Sequence, residues 1–237
     1  FREAKTISRK ENGDVLTTLD LEVNEILKAE LLKNGFSKSQ ILSEEHENSA
    51  SEKESGPLWL IDPIDGTKDF IEGVPEFAVS IAYLDGGKLV AGAVFNPISQ
   101  EMAIATHENS VWLNNEKLLK YENTKHRILC SRSETKKGLL KKFDQTIQTT
   151  STGSVAYRLA LVAIGKASAT ISYEPKNSWD IAGGLALLQR SGGKAVDLDG
   201  NLFSFENPLQ RFHRGLIAAQ SEKTCDELFG IFSSSCL

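Results

Sequence analysis

Three apolar, β-like runs follow one another in the middle of the chain, over 77–84, 89–95 and 101–106, parted by Asp85-Gly86-Gly87 and by Asn96-Pro97. Breaks this short, built from residues that reverse the chain, predict hairpins, so the runs are expected to form an antiparallel meander. Upstream, Leu19, Val23, Ile26, Leu27 and Leu31 recur near helical spacing, with Asp20 and Glu22 in the first turn, where acids suit the helix dipole. An amphipathic helix over 19–33 is expected there. Downstream the character changes. Ser151-Thr152-Gly153-Ser154 precedes a helical run over 155–164 that stops at Gly165, and a β-rich run over 167–173 follows. After a loop to Trp179 come a helix from near Asp180 to Gly192-Gly193, strands near 194–197 and 215–219, and a short terminal helix. The chain therefore reads as α/β: an α+β N-terminal part over residues 1–127 and an alternating α/β part over 128–237.

Composition removes several classes of function. Lys plus Arg number 27 against 32 Asp plus Glu, a net charge of -5, and the basic residues form no stripe, so direct nucleic-acid binding is not expected. No apolar run approaches the roughly 18 residues that span a bilayer, so no membrane role is expected. Cys130, Cys225 and Cys236 are odd in number and lack CxxC spacing, which suggests neither a disulfide framework nor a zinc knuckle. A reducing cytoplasm is the expected setting. His46, His107, His126 and His213 stand far apart and form no helical zinc pair. A GxxxxGK[ST] loop and a GxGxxG after a strand are both missing, which argues against kinase and dehydrogenase readings.

The acids are the informative residues. The apolar run over 58–61 reads as a buried strand, and it ends abruptly in Asp62-Pro63-Ile64-Asp65-Gly66. Glu44 and Glu45 precede that strand, and Asp180 opens a later helix. Asp62, Asp65 and the Ile64 carbonyl would offer hard oxygen ligands from one short loop, a set that selects Mg²⁺ or Mn²⁺ over zinc. The loop continues into Gly66-Thr67 and then Lys68-Asp69-Phe70-Ile71, where a helix start would present free N–H groups to an anion such as phosphate. Each acid has a plainer reading: Asp-Pro and Asp-Gly are common turn dipeptides, Asp180 a helix cap, and Glu44-Glu45 a solvated face.

Taken together, Asp62-Pro63-Ile64-Asp65-Gly66-Thr67 and Trp179-Asp180-Ile181-Ala182-Gly183-Gly184 resemble the two signatures of the inositol monophosphatase superfamily. Ser43-Glu44-Glu45 is similar to its upstream acidic motif and Thr17-Thr18-Leu19-Asp20 to its T-x-x-D motif. The resemblance runs over nearly the whole chain. It departs at Ser43, where Gly is common, at Gly183, where a second Ala is usual, and at the start, where the usual first helix is missing or truncated ahead of Phe1. It implies a layered αβαβα sugar-phosphatase fold with metals between its two parts. Glu44, Asp62 and the Ile64 carbonyl would hold one Mg²⁺, and Asp62, Asp65 and Asp180 a second, with room for a third near Glu44. Two such ions about 3.5 to 4 Å apart stabilise the attacking and leaving oxygens of an in-line phosphoryl displacement. Thr67 and Asp20 would orient and deprotonate the attacking water, Glu45 would support them, and the N–H groups of Gly66 and Thr67 would hold phosphate oxygens.

Substrate recognition is expected from Gly153-Ser154 and from the loop over 174–178. Lys68 and Pro175-Lys176-Asn177 resemble the 3'(2'),5'-bisphosphate nucleotidase branch, whereas Glu174 lies six residues before Asp180 rather than the seven of inositol monophosphatases. Lys176 is either the partner of a second phosphate or a solvated loop lysine. The expected reaction is Mg²⁺-dependent hydrolysis of inositol 1-phosphate or 3'-phosphoadenosine 5'-phosphate. A sugar bisphosphate such as fructose 1,6-bisphosphate is an alternative, and so is a binding role with the transcription machinery. Lithium inhibition and a homodimer are further implications of the resemblance.

Overall fold

The computed structural model describes residues 7–9, 15–45, 56–108, 110–118, 127–143 and 146–233. His46, His126 and Cys236, read above, lie outside the described residues. The elements in chain order are β1 (Ile7–Arg9), β2 (Val15–Thr17), α1 (Thr18–Lys33), β3 (Ile41–Ser43), β4 (Leu58–Asp65), α2 (Thr67–Glu72), β5 (Ala78–Asp85), β6 (Lys88–Asn96), β7 (Glu101–Ala105), β8 (Val111–Leu113) and β9 (Glu116–Leu118). Next come β10 (Ile128–Ser131), α3 (Arg132–Lys136), β11 (Thr149–Thr152), α4 (Val155–Ala163), β12 (Ala169–Ser172), β13 (Lys176–Asn177), α5 (Ser178–Arg190), β14 (Lys194–Val196), β15 (Arg211–Phe212), β16 (Leu216–Ala219) and α6 (Glu222–Ser233).

The expected meander forms. The strands β3 to β9 lie in sequence order in one sheet of seven, antiparallel throughout except that β3 runs parallel to β4. A second sheet of five takes the order β11-β10-β12-β16-β14, with β10 parallel to both its neighbours. The helices α4 and α5 lie between the sheets, and their Leu159, Val162, Ile181 and Leu188 share one core with Leu60, Ala82 and Val94 of the larger sheet. The alternation of the strands defines the outer faces. Ala218 of β16 points into that core, while its neighbours Ile217 and Ala219 meet Cys225, Leu228 and Phe232 of α6. On the other sheet Trp59 and Tyr83, alternating with Leu60 and Ala82, stack with Phe36 just beyond α1. The layers are therefore α1, sheet, α4 with α5, sheet, α6, an αβαβα sandwich.

Two expectations need correction. The helix α1 forms, but it is not amphipathic in the expected sense: its buried residues are Asp20 and Asn24, while Ile26 is 68% exposed. Its first turn is pinned by a polar cap instead of an apolar stripe. Second, the strand that was expected to end at Ile61 continues to Asp65. It still pairs with β5, with a register shift between Asp62 and Asp65, and a bulge of this kind re-aims side chains at a strand end.

Candidate active site

The bulge turns the end of β4 into the meeting point of the acids. Gly66 follows it at φ 94°, a left-handed conformation that glycine adopts without strain, and α2 starts at Thr67. A Cβ on Gly66 would also lie 3.3 Å from the Glu76 carbonyl oxygen. The Glu44 N–H donates to the Ile61 carbonyl at 3.0 Å, which carries Glu44 to the side of this strand end. Glu45, half-buried, donates its N–H to Ser43 Oγ at 3.2 Å. Asp180 arrives from the second half, in the first turn of α5, where it accepts the Asn177 N–H at 2.7 Å in a capping box.

These acids act on one another. Asp62 is 1% exposed, and its Oδ1 has no hydrogen-bond partner among the described residues. Burial holds its carboxyl well above the usual range, and the neighbouring Glu44, Asp65 and Asp180 raise it further. Asp65 is raised by burial as well, against the opposing pull of Ser154, Ala156 and Arg158. Burial and Asp65 push Asp180 up to about 8. Among the described residues no three His, Cys, Asp or Glu close to metal-holding distance. What converges is negative potential, together with one buried carboxylate oxygen that no described residue satisfies. Such a site fits a hard cation.

Beside it, Thr67 Oγ1 lies 3.3 Å from Asp20 Oδ1 and 3.0 Å from the Ile64 carbonyl oxygen. The hydroxyl has one proton and therefore serves one of these acceptors at a time. Asp20 is fixed from behind by Thr17, whose N–H and Oγ1 donate to its Oδ2 at 2.8 and 2.5 Å. The T-x-x-D motif is thus a helix cap whose free carboxylate oxygen faces Thr67, 47 residues away in sequence.

The second-half residues are each held by contacts within the protein. Ser154, at φ 38°, gives its hydroxyl to Asp65 Oδ2 at 2.5 Å and accepts the Tyr157 N–H at 3.0 Å. The Gly153 N–H goes to Glu76 Oε2 at 2.8 Å. Ser154 therefore buttresses the acid cluster, and Gly153 ties the same turn to Glu76. Glu174 pairs with Lys137, and although burial opposes it, that pairing holds the Glu174 carboxyl below the usual range. Lys176 is no solvated loop lysine. It is buried, with its ammonium on the carbonyls of Glu174 and Pro175 at 2.9 and 3.4 Å and 3.7 Å from Glu134. The exposed cation beside Thr67 is Lys68.

Several residues near the site escaped the sequence reading. Arg158 is 2% exposed and donates to Thr170 Oγ1 and the Ile171 carbonyl at 3.1 and 2.9 Å, close enough to Asp65 to act on its charge. Glu76 collects both Gly153 and Arg132. Their one signal in the sequence is an isolated charge inside an apolar or helical run.

The layered α/β sandwich brings acids from β4 and α5 to one place, and comparison with known proteins gives this arrangement a class. Residues 1–233 match the model of the inositol monophosphatase family. The chain belongs to that family, and with it to the phosphoric monoester hydrolases. It is similar to a fructose-1,6-bisphosphatase/inositol-1-monophosphatase of Thermotoga maritima, with 28% identity over 91% of this chain and 84% of the relative. A 3'(2'),5'-bisphosphate nucleotidase CysQ of Salmonella typhimurium is 30% identical over 84% of this chain and 82% of its own. In structure, the chain resembles a Thermotoga maritima IMPase with a TM-score of 0.82 and 26% identity, covering 98% of this chain and 89% of that one.

Proposed function

We propose that the chain is a Mg²⁺-dependent phosphatase that hydrolyses a small phosphate monoester by attack of water, its substrate being inositol 1-phosphate or 3'-phosphoadenosine 5'-phosphate. The observation that carries this reading is the buried Asp62 oxygen, without a hydrogen-bond partner among the described residues and acted on by the charges of Glu44, Asp65 and Asp180, beside the Thr67–Asp20 pair. Glu44, Asp62 and the Ile64 carbonyl would hold one ion and Asp62, Asp65 and Asp180 another, at the junction of an N-terminal part ending near residue 127 and the C-terminal part beyond it. Bound there, Mg²⁺ lowers the pKa of water and screens the charge of the phosphate. The chain's own residues do the rest. Thr67 orients the attacking water and passes its proton toward Asp20, which Thr17 keeps in place. The N–H groups of Gly66 and Thr67 bind the phosphate oxygens, and Ser154 keeps Asp65 aimed inward.

Phosphate release tests the reading, with Mg²⁺ present or chelated, on inositol 1-phosphate, 3'-phosphoadenosine 5'-phosphate and fructose 1,6-bisphosphate. Activity is expected in Mg²⁺ alone; hydrolysis of none of the three would overturn it. A tenfold preference, about 1.4 kcal/mol at the transition state, identifies the branch. A preference for the nucleotide would direct mutagenesis to Lys68 and Lys137 rather than to the buried Lys176. The sugar bisphosphate is included because the Thermotoga relative carries both names.

A pH prediction follows from the acids. The folded protein holds the Asp180 proton up to about pH 8, against an ordinary value of 3.8. A folded pKa raised in this way stabilises the folded state below the unfolded value, and the stabilisation is lost as pH rises through the folded one. In chelator the melting temperature should therefore fall between about pH 4 and pH 8. Saturating Mg²⁺ should flatten the decline, because a ligand at about 100 times its Kd adds about 2.7 kcal/mol. Differential scanning calorimetry at a series of pH values checks both.

A further inference from the structure

The helix α3 and the residue after it place four charges in the six positions from 132 to 137, Arg132, Glu134, Lys136 and Lys137. Each of them reaches one edge of the site. Toward α2, Arg132 Nε stands 2.9 Å from Asp69 Oδ1, its other arm pairs with Glu76, and Lys136 Nζ lies 3.0 Å from Glu72. Toward the loop over 172–176, Lys137 pairs with Glu174, and Glu134 accepts hydrogen bonds from Ser172 Oγ, from the Tyr173 N–H at 2.8 Å and from the Glu174 N–H at 3.1 Å.

These contacts are not equal. Lys136 and Glu72 are more than half exposed, and pairs of that kind contribute little. Glu134 is 0% exposed. A buried carboxylate is tolerated only where donors surround it, and here the donors are the loop itself, with the Lys176 ammonium 3.7 Å away. The Ser172 hydroxyl and the backbone N–H groups of 173 and 174 surround the Glu134 carboxylate, and Lys176 folds back on the carbonyls of 174 and 175. The next residue, Asn177, caps the helix that carries Asp180.

We propose that Glu134 is a positioning residue. It fixes the recognition loop over 172–176 against α2, and so sets which leaving group fits opposite the Gly66-Thr67 turn, without itself touching substrate. The kinetic consequence rests on the phosphatase reading above; the structural one does not.

Glu134→Gln in the Mg²⁺-loaded full chain tests this. Glutamine keeps the shape but turns one acceptor into a donor facing other donors. For the better of inositol 1-phosphate and 3'-phosphoadenosine 5'-phosphate, KM should rise by roughly tenfold with kcat within about threefold, the mark of lost ground-state positioning. Hydrolysis of p-nitrophenyl phosphate, which offers the loop nothing to read, should stay within about twofold. Amide hydrogen exchange at Tyr173 and Glu174, protected in the wild type, should quicken by at least about tenfold. Should Glu134→Gln not fold, Ser172→Ala removes one donor and should move KM and exchange in the same direction. Equal loss on all substrates, or exchange unchanged from the wild type, would overturn the proposal. A wild type that hydrolyses nothing would remove the phosphatase reading, and exchange alone would then decide the role of Glu134.

Discussion

Asp65→Asn should lower kcat/KM by at least about 10³-fold, more than about 4 kcal/mol of transition-state stabilisation, while the protein stays folded. The two halves of this expectation have separate causes. Both donors to Asp65, Ser154 Oγ at 2.5 Å and the Ala156 N–H at 2.6 Å, converge on the single oxygen Oδ2. An asparagine carbonyl can take that place, so the start of α4 keeps its anchor. The other oxygen becomes an amide nitrogen, which can no longer serve as an oxygen ligand. In chelator the substitution also removes a charge that burial already disfavours, so the melting temperature should hold or rise. Phosphate release and thermal unfolding on one preparation separate the causes. Wild-type turnover would reject the ligand assignment, and a lower melting temperature in chelator would show that Asp65 is held for structure.

What the sequence made legible, and what it hid, divides along the range of the interactions. The meander and the helix after Ser154 rest on periodicity and turn chemistry, which are local, and they form as expected. The acids at 44, 62, 65 and 180 were visible because carboxylates at strand ends and helix starts stand out against an apolar background. Glu76, Arg132 and Glu134 gave no such signal. Arg132 finds Glu76 56 residues away and Glu134 finds Ser172 38 residues away, and a charged side chain cannot announce in the sequence a partner at that distance. Lys176 was misleading for the same reason. Pro175-Lys176-Asn177 has the composition of a solvated loop, yet the buried Glu134 draws its ammonium inward. In the sequence the stretch from Asp62 to Asp65 has the signature of a turn, because Asp-Pro and Asp-Gly favour turns locally, whereas pairing with β5 extends the strand.

Gly183→Val should destabilise the fold by about 3 kcal/mol or more, at the upper end of what overpacking causes, because the added atoms meet main chain that cannot yield. A Cβ at Gly183 would lie 2.5 Å from Ser80 Oγ and 2.9 Å from the Ile81 carbonyl, and one at Gly92 on the facing strand would lie 2.8 Å from the Gly183 carbonyl. Glycine stands on both sides of this contact, so α5 rests directly on β5 and β6. Arg190 ties the far end of α5 to the same sheet through the carbonyls of Thr106, Leu89 and Val90. For a chain of this size, about 2–4 °C per kcal/mol gives a fall in melting temperature of roughly 6–12 °C. Gly230→Ala in the exposed stretch of α6, where nothing lies within 4 Å of an added Cβ, is the control and should be neutral or stabilising by up to about 1 kcal/mol. The same contact bears on function, since α5 carries Asp180 three residues before Gly183. A helix lifted off the sheet withdraws that carboxylate from Asp62 and Asp65, so folded Gly183→Val protein should need more Mg²⁺ for half-maximal activity than the wild type. An unchanged melting temperature would mean that α5 stands further from the sheet than the glycine pair implies.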